Sequence, residues 1–303
     1  VYKSQLLDRS VAGLVPVLPR ALVDRVARRY IAGATLDDAL AVATRLCDQE
    51  GCEGTLDVLG EHVRTREDAC DMVAAFELAL RGIKARGLPC GVSVKLSSLG
   101  LGIDHRLCVD NLDRVLSAAR ETGCFCRIDM EDATTVDRTL DLVEAAKAAG
   151  HRVGAVLQAR LFRTPRDLER LIGAGIPVRL VKGIYLEPAS ISHTGFREIQ
   201  KAFLLLVERA IRAGIDLAIA THDDRLLAEA RRLLAERGPS AAHTEFQVLL
   251  GVREDLRRGL RAEGRTVRVY VPYGRDWRAY SLRRLRENPR MATQITRALV
   301  GLR

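Results

Sequence analysis

Short apolar segments alternate with amphipathic segments along most of this chain, and this alternation constrains the fold more than any other feature. The apolar segments are rich in aliphatic and β-branched residues and are bounded by glycine, proline or polar residues, which predicts strands. Each is followed by a segment with helical spacing of its apolar residues. Eight such units over about 240 residues predict a (β/α)8 barrel of the TIM type. We expect strands at 54–59, 91–96, 126–130, 153–158, 178–182, 216–221, 245–249 and 267–271.

The helices and the domain boundary follow from the same pattern. A capping box formed by Thr35 and Asp38 should open a helix at 36–46. We expect residues 1–50 to form an N-terminal helical segment and residues 51–303 to form the catalytic barrel, with a C-terminal helix over its mouth. Pro272 and Gly274 should stop the last strand. The helices of the barrel are expected at 66–86, 108–122, 135–149, 165–172, 195–213, 224–237 and 253–263.

The positive charge is scattered rather than concentrated. The formal net charge is +9, and nearly all of the basic residues are arginines spread along amphipathic segments. Such a pattern is more typical of a solvated surface than of a nucleic-acid site. A protein that binds nucleic acid through these arginines is the weaker alternative, because it leaves the polar residues at the strand ends unexplained.

The seven cysteines do not indicate a disulfide framework, because their number is odd and their spacing irregular. Cys124 and Cys126 lack the spacing of a zinc knuckle, and we expect no metal site. Reduced thiols, no signal peptide at the first residue and no apolar stretch long enough to span a bilayer favour a cytoplasmic protein.

Polar residues gather where the predicted strands end. In a barrel of this class the active site lies at the carboxyl ends of the strands, and a strand in the core does not carry such residues unless they face a site. The chain has no complete glycine fingerprint for a dinucleotide, so a flavin would have to be held by the barrel itself. The set comprises Glu61, Lys95, Asp129, Glu131, Gln158, Arg179, Lys182, Thr221, His222 and Tyr270.

A second group of polar residues follows the last strand. Tyr280, Arg283, Arg284 and Glu287 lie three and four apart, so a helix would present them close together. Arginine binds a carboxylate through two parallel hydrogen bonds. Arg283 and Arg284 therefore suggest an anion site, although adjacent arginines on a helix more often form a solvated face.

The C-terminal motif also resembles a known family. Tyr270-Val-Pro-Tyr-Gly274, Trp277, Tyr280, Arg283-Arg284 and Glu287-Asn-Pro289 are similar to the signature of the flavin-dependent proline dehydrogenases in their bacterial monofunctional form. The resemblance extends over residues 26–289. It implies oxidation of L-proline to 1-pyrroline-5-carboxylate, the first step of proline catabolism, by hydride transfer to N5 of non-covalently bound FAD. It also implies a quinone as electron acceptor and a peripheral contact with the inner face of the membrane.

The resemblance assigns roles to individual residues. Asp129 and Arg179 would be catalytic, with Arg179 at the flavin N5. Glu61 and Arg283 would form a gate that closes over the substrate. Proline would be bound by Lys95, Leu249, Tyr270, Tyr280, Arg283, Arg284 and Glu287. The flavin would be bound by Met130, Gln158, Arg179, Lys182, Gly183, Ile184, Thr221 and His222.

Some positions depart from the family pattern, and some alternatives stay open. Ile184 stands where alanine is usual, Asp223 where asparagine is frequent, and residues 190–203 match poorly. A barrel enzyme that forms a Schiff base through Lys95 or Lys182 is the main alternative chemistry. Another cyclic imino acid, such as hydroxyproline, is the alternative substrate.

Overall fold

The computed structural model of the chain describes residues 29–238, 243–275 and 277, and its parallel strands close into an eight-stranded barrel. Each strand pairs with the next, and β8 returns to β1 with Thr55 opposite Tyr270. The predicted barrel is thereby confirmed. The strands are β1 (Glu53–Val58), β2 (Cys90–Val94), β3 (Cys126–Ile128), β4 (Val153–Gln158), β5 (Val178–Val181), β6 (Leu217–Ala220), β7 (Thr244–Leu249) and β8 (Thr266–Tyr273).

Helices precede the barrel and connect its strands. The first, α1, packs against β1 and β8, and the others follow the strands in turn. The N-terminal residues before Arg29 and the predicted C-terminal helix lie outside the described residues. The helices are α1 (Leu36–Glu50), α2 (Arg66–Ala85), α3 (His105–Thr122), α4 (Val136–Ala148), α5 (Thr164–Gly173), α6 (Phe196–Ala213), α7 (Asp224–Arg237) and α8 (Glu254–Ala262).

Side-chain caps fix where several helices begin. Thr35 accepts a hydrogen bond from the backbone of Asp38, whose carboxylate accepts one from the backbone of Thr35, so the predicted capping box is confirmed. The side chain of Thr65 caps α2 by accepting from the backbone of Asp68, and that of Asp104 caps α3 by accepting from the backbone of Leu107. Asp223 caps α7 through the backbone N–H of Leu226. These caps satisfy backbone donors that have no partner within the helix.

The prediction that Pro272 stops the last strand is wrong, because β8 continues through it to Tyr273. β7 pairs with β8 only as far as Tyr270, so the N–H that proline lacks is not needed on that side. The carbonyl of Pro272 instead accepts from the backbone of Ala32 at 2.9 Å, and Leu59 donates to the carbonyl of Tyr273 at 2.8 Å.

β2 and β3 each end two residues earlier than the sequence predicts, and this brings site residues to the barrel mouth. β2 ends at Val94, and Lys95 begins a 3-10 helix at Leu96–Leu99. β3 ends at Ile128, directly before Asp129. Both charged side chains therefore stand where the ladder stops, rather than within it.

The core is mainly aliphatic, as the 4% aromatic content requires. Valine, leucine and isoleucine side chains fill the space between strands and helices, with Phe76, Phe203 and Phe246 among the largest that are fully buried. All seven cysteines are free, and five of them are buried. In the described part of the chain, no helix combines the length and the apolar character needed to cross a membrane.

At the amino ends of the strands the barrel interior is filled by a charged network. Arg268 on β8 donates to Glu245 on β7 at 2.9 Å and to the carbonyl of Gly54 at 2.8 Å. It also pairs with Glu53 on β1. Arg127 on β3 donates to the carbonyl of Ala155 at 3.2 Å. Arg127 and Glu245 are almost fully buried, so this network plugs the end of the barrel that lies opposite the candidate site.

Candidate active site

Four of the predicted site residues meet around one carboxylate at the barrel mouth. Asp129 Oδ1 accepts from Arg179 Nη1 at 2.7 Å, and its Oδ2 accepts from the Tyr270 hydroxyl at 2.8 Å. Lys95 Nζ lies 3.5 Å from the Tyr270 hydroxyl and 3.9 Å from Asp129 Oδ2. Ser93 also donates to Asp129, at 3.0 Å. These residues come from β5, β8 and the ends of β2 and β3, and they converge in space.

Asp57 belongs to the same cluster, although the sequence analysis did not select it. Its Oδ1 accepts from Lys95 Nζ at 2.8 Å, the shortest contact of that ammonium with a carboxylate among the described residues. Asp57 lies inside β1 rather than at its end and is 1% exposed. The signal in the sequence was a charged residue in an otherwise uncharged strand segment, two positions after Thr55 and therefore on the same face.

The electrostatics favour the ionised form of Asp129, whereas burial raises the pKa of Asp57 above its usual value in spite of the neighbouring Lys95 ammonium. Burial by itself would raise the pKa of Asp129, but Arg179, Lys95 and the hydroxyls of Tyr270 and Ser93 hold it below its usual value. Burial and the carboxylate of Asp129 raise the pKa of Tyr270 well above its usual value, so its hydroxyl stays protonated and donates. The aromatic ring of Tyr270 also lies under the Arg179 guanidinium, with 5.3 Å between the guanidinium carbon and the ring centroid.

Lys95 is held as a cation, which is unfavourable for a Schiff-base mechanism. Burial alone would lower its pKa, but the surrounding carboxylates, led by Asp57, raise it well above the usual value. A nucleophilic lysine needs the opposite shift, because only the neutral amine attacks a carbonyl. Lys182, the other candidate, donates to Asp223 at 3.3 Å.

The loop after β1 carries Glu61 to this cluster. A Glu61 carboxylate oxygen lies 3.7 Å from Lys95 Nζ. The next residue, His62, has a left-handed backbone with φ of 52°, and its N–H donates to Ser97 Oγ at 3.3 Å. Ser97 in turn bonds to the buried carboxylate of Glu131 through both its backbone N–H and its hydroxyl. The end of β3 therefore supports the loop that holds Glu61.

Gln158 and Gly183 form the adjacent part of the mouth. Gln158 Nε2 donates to the carbonyl of Glu131 at 2.8 Å, which leaves its Oε1 as an acceptor facing the β5 end. Gly183 has φ of 97°, and a Cβ there would lie 3.0 Å from that oxygen and 2.9 Å from the side chain of Arg160. A backbone this close to its neighbours requires glycine.

A third group surrounds the end of β6. The backbone N–H of Leu249 donates to His222 Nε2 at 3.1 Å, so the neutral imidazole carries its proton on Nδ1. Burial, with Lys182 and Arg253 nearby, lowers the pKa of His222 to about 4. Thr221 is buried beside it, and its hydroxyl accepts from the backbone of Asp223 at 3.2 Å.

Some of the remaining predicted residues lie in the described part of the chain, and the others lie outside it. Met130 is buried next to Asp129, whereas Ile184 is 48% exposed at the mouth. Trp277 packs against Ile31 and Leu59 beneath the β1 loop. The predicted substrate residues Tyr280, Arg283, Arg284 and Glu287 lie outside the described residues.

The site has polar atoms available for a bound group. Arg179 Nε and Nη2 are buried and have no hydrogen-bond partner among the described residues, although Nη1 is bonded. Such buried donors are costly unless a ligand or water satisfies them. With Gln158 Oε1 and the close backbone at Gly183, they fit the edge of a planar ring system that carries both acceptors and donors. Within the described part of the chain, no group of His, Cys, Asp and Glu residues could hold a metal ion.

The chain resembles proline dehydrogenases over nearly its whole length. A family model described as proline dehydrogenase matches residues 40–297. A proline dehydrogenase of Deinococcus radiodurans is 35% identical over 309 residues, covering 99% of this chain and 98% of that protein. Proline dehydrogenase 1 of Bacillus subtilis is 34% identical over 274 residues, covering 90% of each.

Solved structures show the same fold. Proline utilization A (PutA) of Bdellovibrio bacteriovorus, inactivated by N-propargylglycine, superposes with a TM-score of 0.79 at 24% identity. A mutant PutA of Bradyrhizobium japonicum superposes with a TM-score of 0.72 at 23% identity. The match covers 87% and 86% of this chain, but only 32% and 30% of those longer chains. The chain therefore belongs to the proline dehydrogenase family, whose members oxidise proline in the first step of its catabolism.

Proposed function

We propose that this enzyme binds FAD without a covalent bond at the barrel mouth and oxidises L-proline to 1-pyrroline-5-carboxylate. The observation that carries the proposal is the Asp129 cluster, in which one carboxylate holds both Arg179 and Tyr270 beside the Lys95 ammonium. When bound, the flavin would supply N5 as the hydride-accepting atom, and the protein would orient both reactants.

The residues proposed for the flavin have free polar atoms or a close backbone. Arg179 offers two buried donors that have no partner among the described residues, and a positive charge there would favour an electron-rich ring. Gln158 offers an acceptor, and Gly183 a backbone without a side chain. Thr221, His222, Lys182, Met130 and Ile184 complete the proposed flavin site. Neutral His222 would donate through Nδ1, because Nε2 is already occupied.

The residues proposed for proline offer complementary chemistry. The Lys95 ammonium would bind the carboxylate, together with Arg283 and Arg284 of the C-terminal segment. The Tyr270 ring, Leu249 and Tyr280 would hold the pyrrolidine ring in place, and Glu287 would complete the set. Glu61 would pair with Arg283 when substrate is bound, closing the mouth to water. Hydroxyproline is the nearest alternative substrate.

We propose a quinone as the electron acceptor. Quinones partition into lipid, so the enzyme would work in the cytoplasm in peripheral contact with the membrane. The net charge of +9 would assist contact with an anionic lipid surface. Reduction of a water-soluble quinone by proline, and its stimulation by anionic vesicles, would measure the two parts of this proposal separately.

The central experiment is an absorption spectrum of the purified protein before and after anaerobic addition of proline. We expect a flavin band that bleaches with proline, and acid precipitation should release the yellow chromophore into the supernatant. Hydroxyproline in place of proline gives the order of substrates. A colourless protein that FAD does not reconstitute would contradict the proposed cofactor. A flavin band that persists after addition of proline would contradict the proposed substrate.

A further inference from the structure

Asp57 is the most deeply buried carboxylate of the active-site cluster, and only one of its oxygens is used. Oδ1 accepts from Lys95 at 2.8 Å, whereas Oδ2 is buried and has no hydrogen-bond partner among the described residues. Asp129 differs, because Arg179 and Ser93 share its Oδ1 and Tyr270 bonds to its Oδ2. The charge of Asp57 is therefore less fully compensated than that of Asp129.

Lys95 is surrounded by several carboxylates. Asp57, Glu61 and Asp129 all lie within 4 Å of its ammonium, and Arg179 is the other cation paired with this cluster in the described part of the chain. Three carboxylates therefore share this ammonium, and Asp57 makes the shortest of the three contacts. In a buried site with low dielectric, a charge that is not compensated acts on a bound molecule over several ångströms.

We propose that Asp57 is a specificity-determining residue that sets the charge preference of the substrate pocket. Its carboxylate weakens the binding of ring compounds that carry only a negative charge, and strengthens the binding of those with a ring ammonium. Proline carries both charges, so it meets Lys95 with its carboxylate and gains from Asp57 through its nitrogen. This inference rests on the proposed role of Lys95 in the Proposed function.

Two probes separate the charges of proline. Cyclopentanecarboxylate keeps the ring and the carboxylate but lacks the nitrogen, and pyrrolidine keeps the ring ammonium but lacks the carboxylate. In Asp57→Asn, the shape of the side chain is kept and its charge is lost. We expect cyclopentanecarboxylate to bind at least about 5-fold more tightly and pyrrolidine at least about 5-fold more weakly, since one charge has been removed at short range.

Isothermal titration calorimetry of the flavin-loaded enzyme near neutral pH measures both constants without turnover. Asp57→Glu keeps the charge and should retain the wild-type order of the two probes. Asp167→Asn is a matched control, because Asp167 is a buried aspartate paired with Arg163 on the outer helix α5. It should change neither affinity by more than about 2-fold.

Opposite shifts of the two probes support the proposal, because a structural lesion weakens both. Parallel weakening of both probes, or two unchanged affinities, overturns it. If Asp57→Asn alone does not fold, the same substitution is made in a Lys95→Met background, where both members of the buried pair are absent. The same opposite shifts are expected there relative to Lys95→Met. Wild-type enzyme that binds both probes but does not oxidise proline contradicts the Proposed function and leaves Asp57 testable.

Discussion

Asp129 is a common hydrogen-bond acceptor for several strands of the candidate site. Three donors from three different strands, Ser93, Arg179 and Tyr270, converge on its carboxylate. Hydrogen bonds to an ionised group are stronger than those between neutral groups. The carboxylate therefore fixes the relative positions of a guanidinium and a phenol ring that would otherwise have several rotamers.

Removing the Tyr270 hydroxyl should change the pH dependence of the enzyme. In Tyr270→Phe, Asp129 loses a donor that lowers its pKa, so that pKa should rise and the acid limb of kcat/KM should move to higher pH. The value of kcat/KM for proline should fall about 10-fold, the scale of a hydrogen bond to a charged group. Steady-state rates between pH 5 and 9 measure both; Tyr273→Phe on the same strand should keep the wild-type limb.

Arg179 should contribute mainly to the redox step. Arg179→Met removes the positive charge proposed to lie at the flavin and should raise the barrier to flavin reduction by about 2–4 kcal/mol, as loss of a preorganised electrostatic contact does. The flavin potential should also become more negative. Stopped-flow reduction by saturating proline tests this, and an unchanged single-turnover rate contradicts the assignment. Arg170→Met, on the outer face of α5, should have the wild-type rate.

At the scale of elements, the loops after the strands carry the constraints. The turn after β5 passes so close to Arg160 and Gln158 that only glycine fits at position 183. Gly175, in the loop before β5, has a similar left-handed backbone with φ of 61°, but nothing lies within 4 Å of an added Cβ. A side chain at Gly175 would strain the backbone alone, whereas one at Gly183 would also contact neighbouring side chains.

Gly183→Ala and Gly175→Ala form a matched pair. Both should lose about 1–2 kcal/mol from the left-handed backbone, but only Gly183→Ala should also disturb Arg160 and Gln158. We expect flavin content and affinity to fall in Gly183→Ala and to stay at the wild-type level in Gly175→Ala. Thermal unfolding and the fluorescence of released flavin measure the two effects. Equal flavin content in both variants would exclude Gly183 from the flavin site.

Elements were predicted well where the local pattern and the tertiary structure agree. The strand at 153–158 and the helix at 224–237 were predicted with the bounds that the structure gives. The end of β8 was not, because whether Pro272 breaks a strand depends on where the neighbouring β7 stops. Asp57 was missed because the sequence analysis took Glu61, in the loop after the first strand, as the acidic residue of this part of the site.

The convergence of the predicted site residues depends on topology more than on any single motif. Lys95, Asp129, Arg179 and Tyr270 are far apart in the sequence, and only closure of the barrel brings them together. Pairings within the cluster depend on side-chain rotamers, which spacing in the sequence does not specify. The proposed gate between Glu61 and Arg283 stays a prediction, because Arg283 lies outside the described residues.

At the scale of the whole molecule, stability and function are located at opposite ends of the barrel. Arg268 links Glu245 on β7 to Glu53 on β1 at the amino ends of these strands, and Arg127 on β3 acts on Glu245 electrostatically. Buried charges of this kind are costly if one partner is lost.

Glu245→Gln should therefore destabilise the fold without altering the site directly. It leaves two arginines without their shared counter-charge, and we expect a loss of about 3–5 kcal/mol in the free energy of unfolding by denaturant. Burial would raise the pKa of Glu245, but Arg268 and Arg127 hold it below the usual value. Glu208→Gln, which removes an exposed pair with Arg212, should cost less than about 1 kcal/mol.

The sign of the pH dependence follows from that lowered pKa. The stabilisation by Glu245 is fully present above the unfolded pKa of about 4.3 and is lost as the pH falls through the lower folded value. The difference in stability between wild type and Glu245→Gln should thus be constant near neutrality and shrink on acidification below about pH 4. If the difference in free energy of unfolding between wild type and Glu245→Gln grew on acidification, the folded-state pKa of Glu245 would be raised rather than lowered.

Among the described residues, the charged network closes the amino end of the barrel and leaves the carboxyl end as the open side, which has a consequence for the timing of the reaction. Under the proposed function, proline, its product and the electron acceptor must all use the side on which Asp129 lies, because Arg127 and Glu245 fill the opposite end. Proline and the electron acceptor would then use the same opening one after the other. The two half-reactions would then be separated in time rather than by separate routes. The enzyme would have to retain the electrons taken from proline while the product leaves and the acceptor binds.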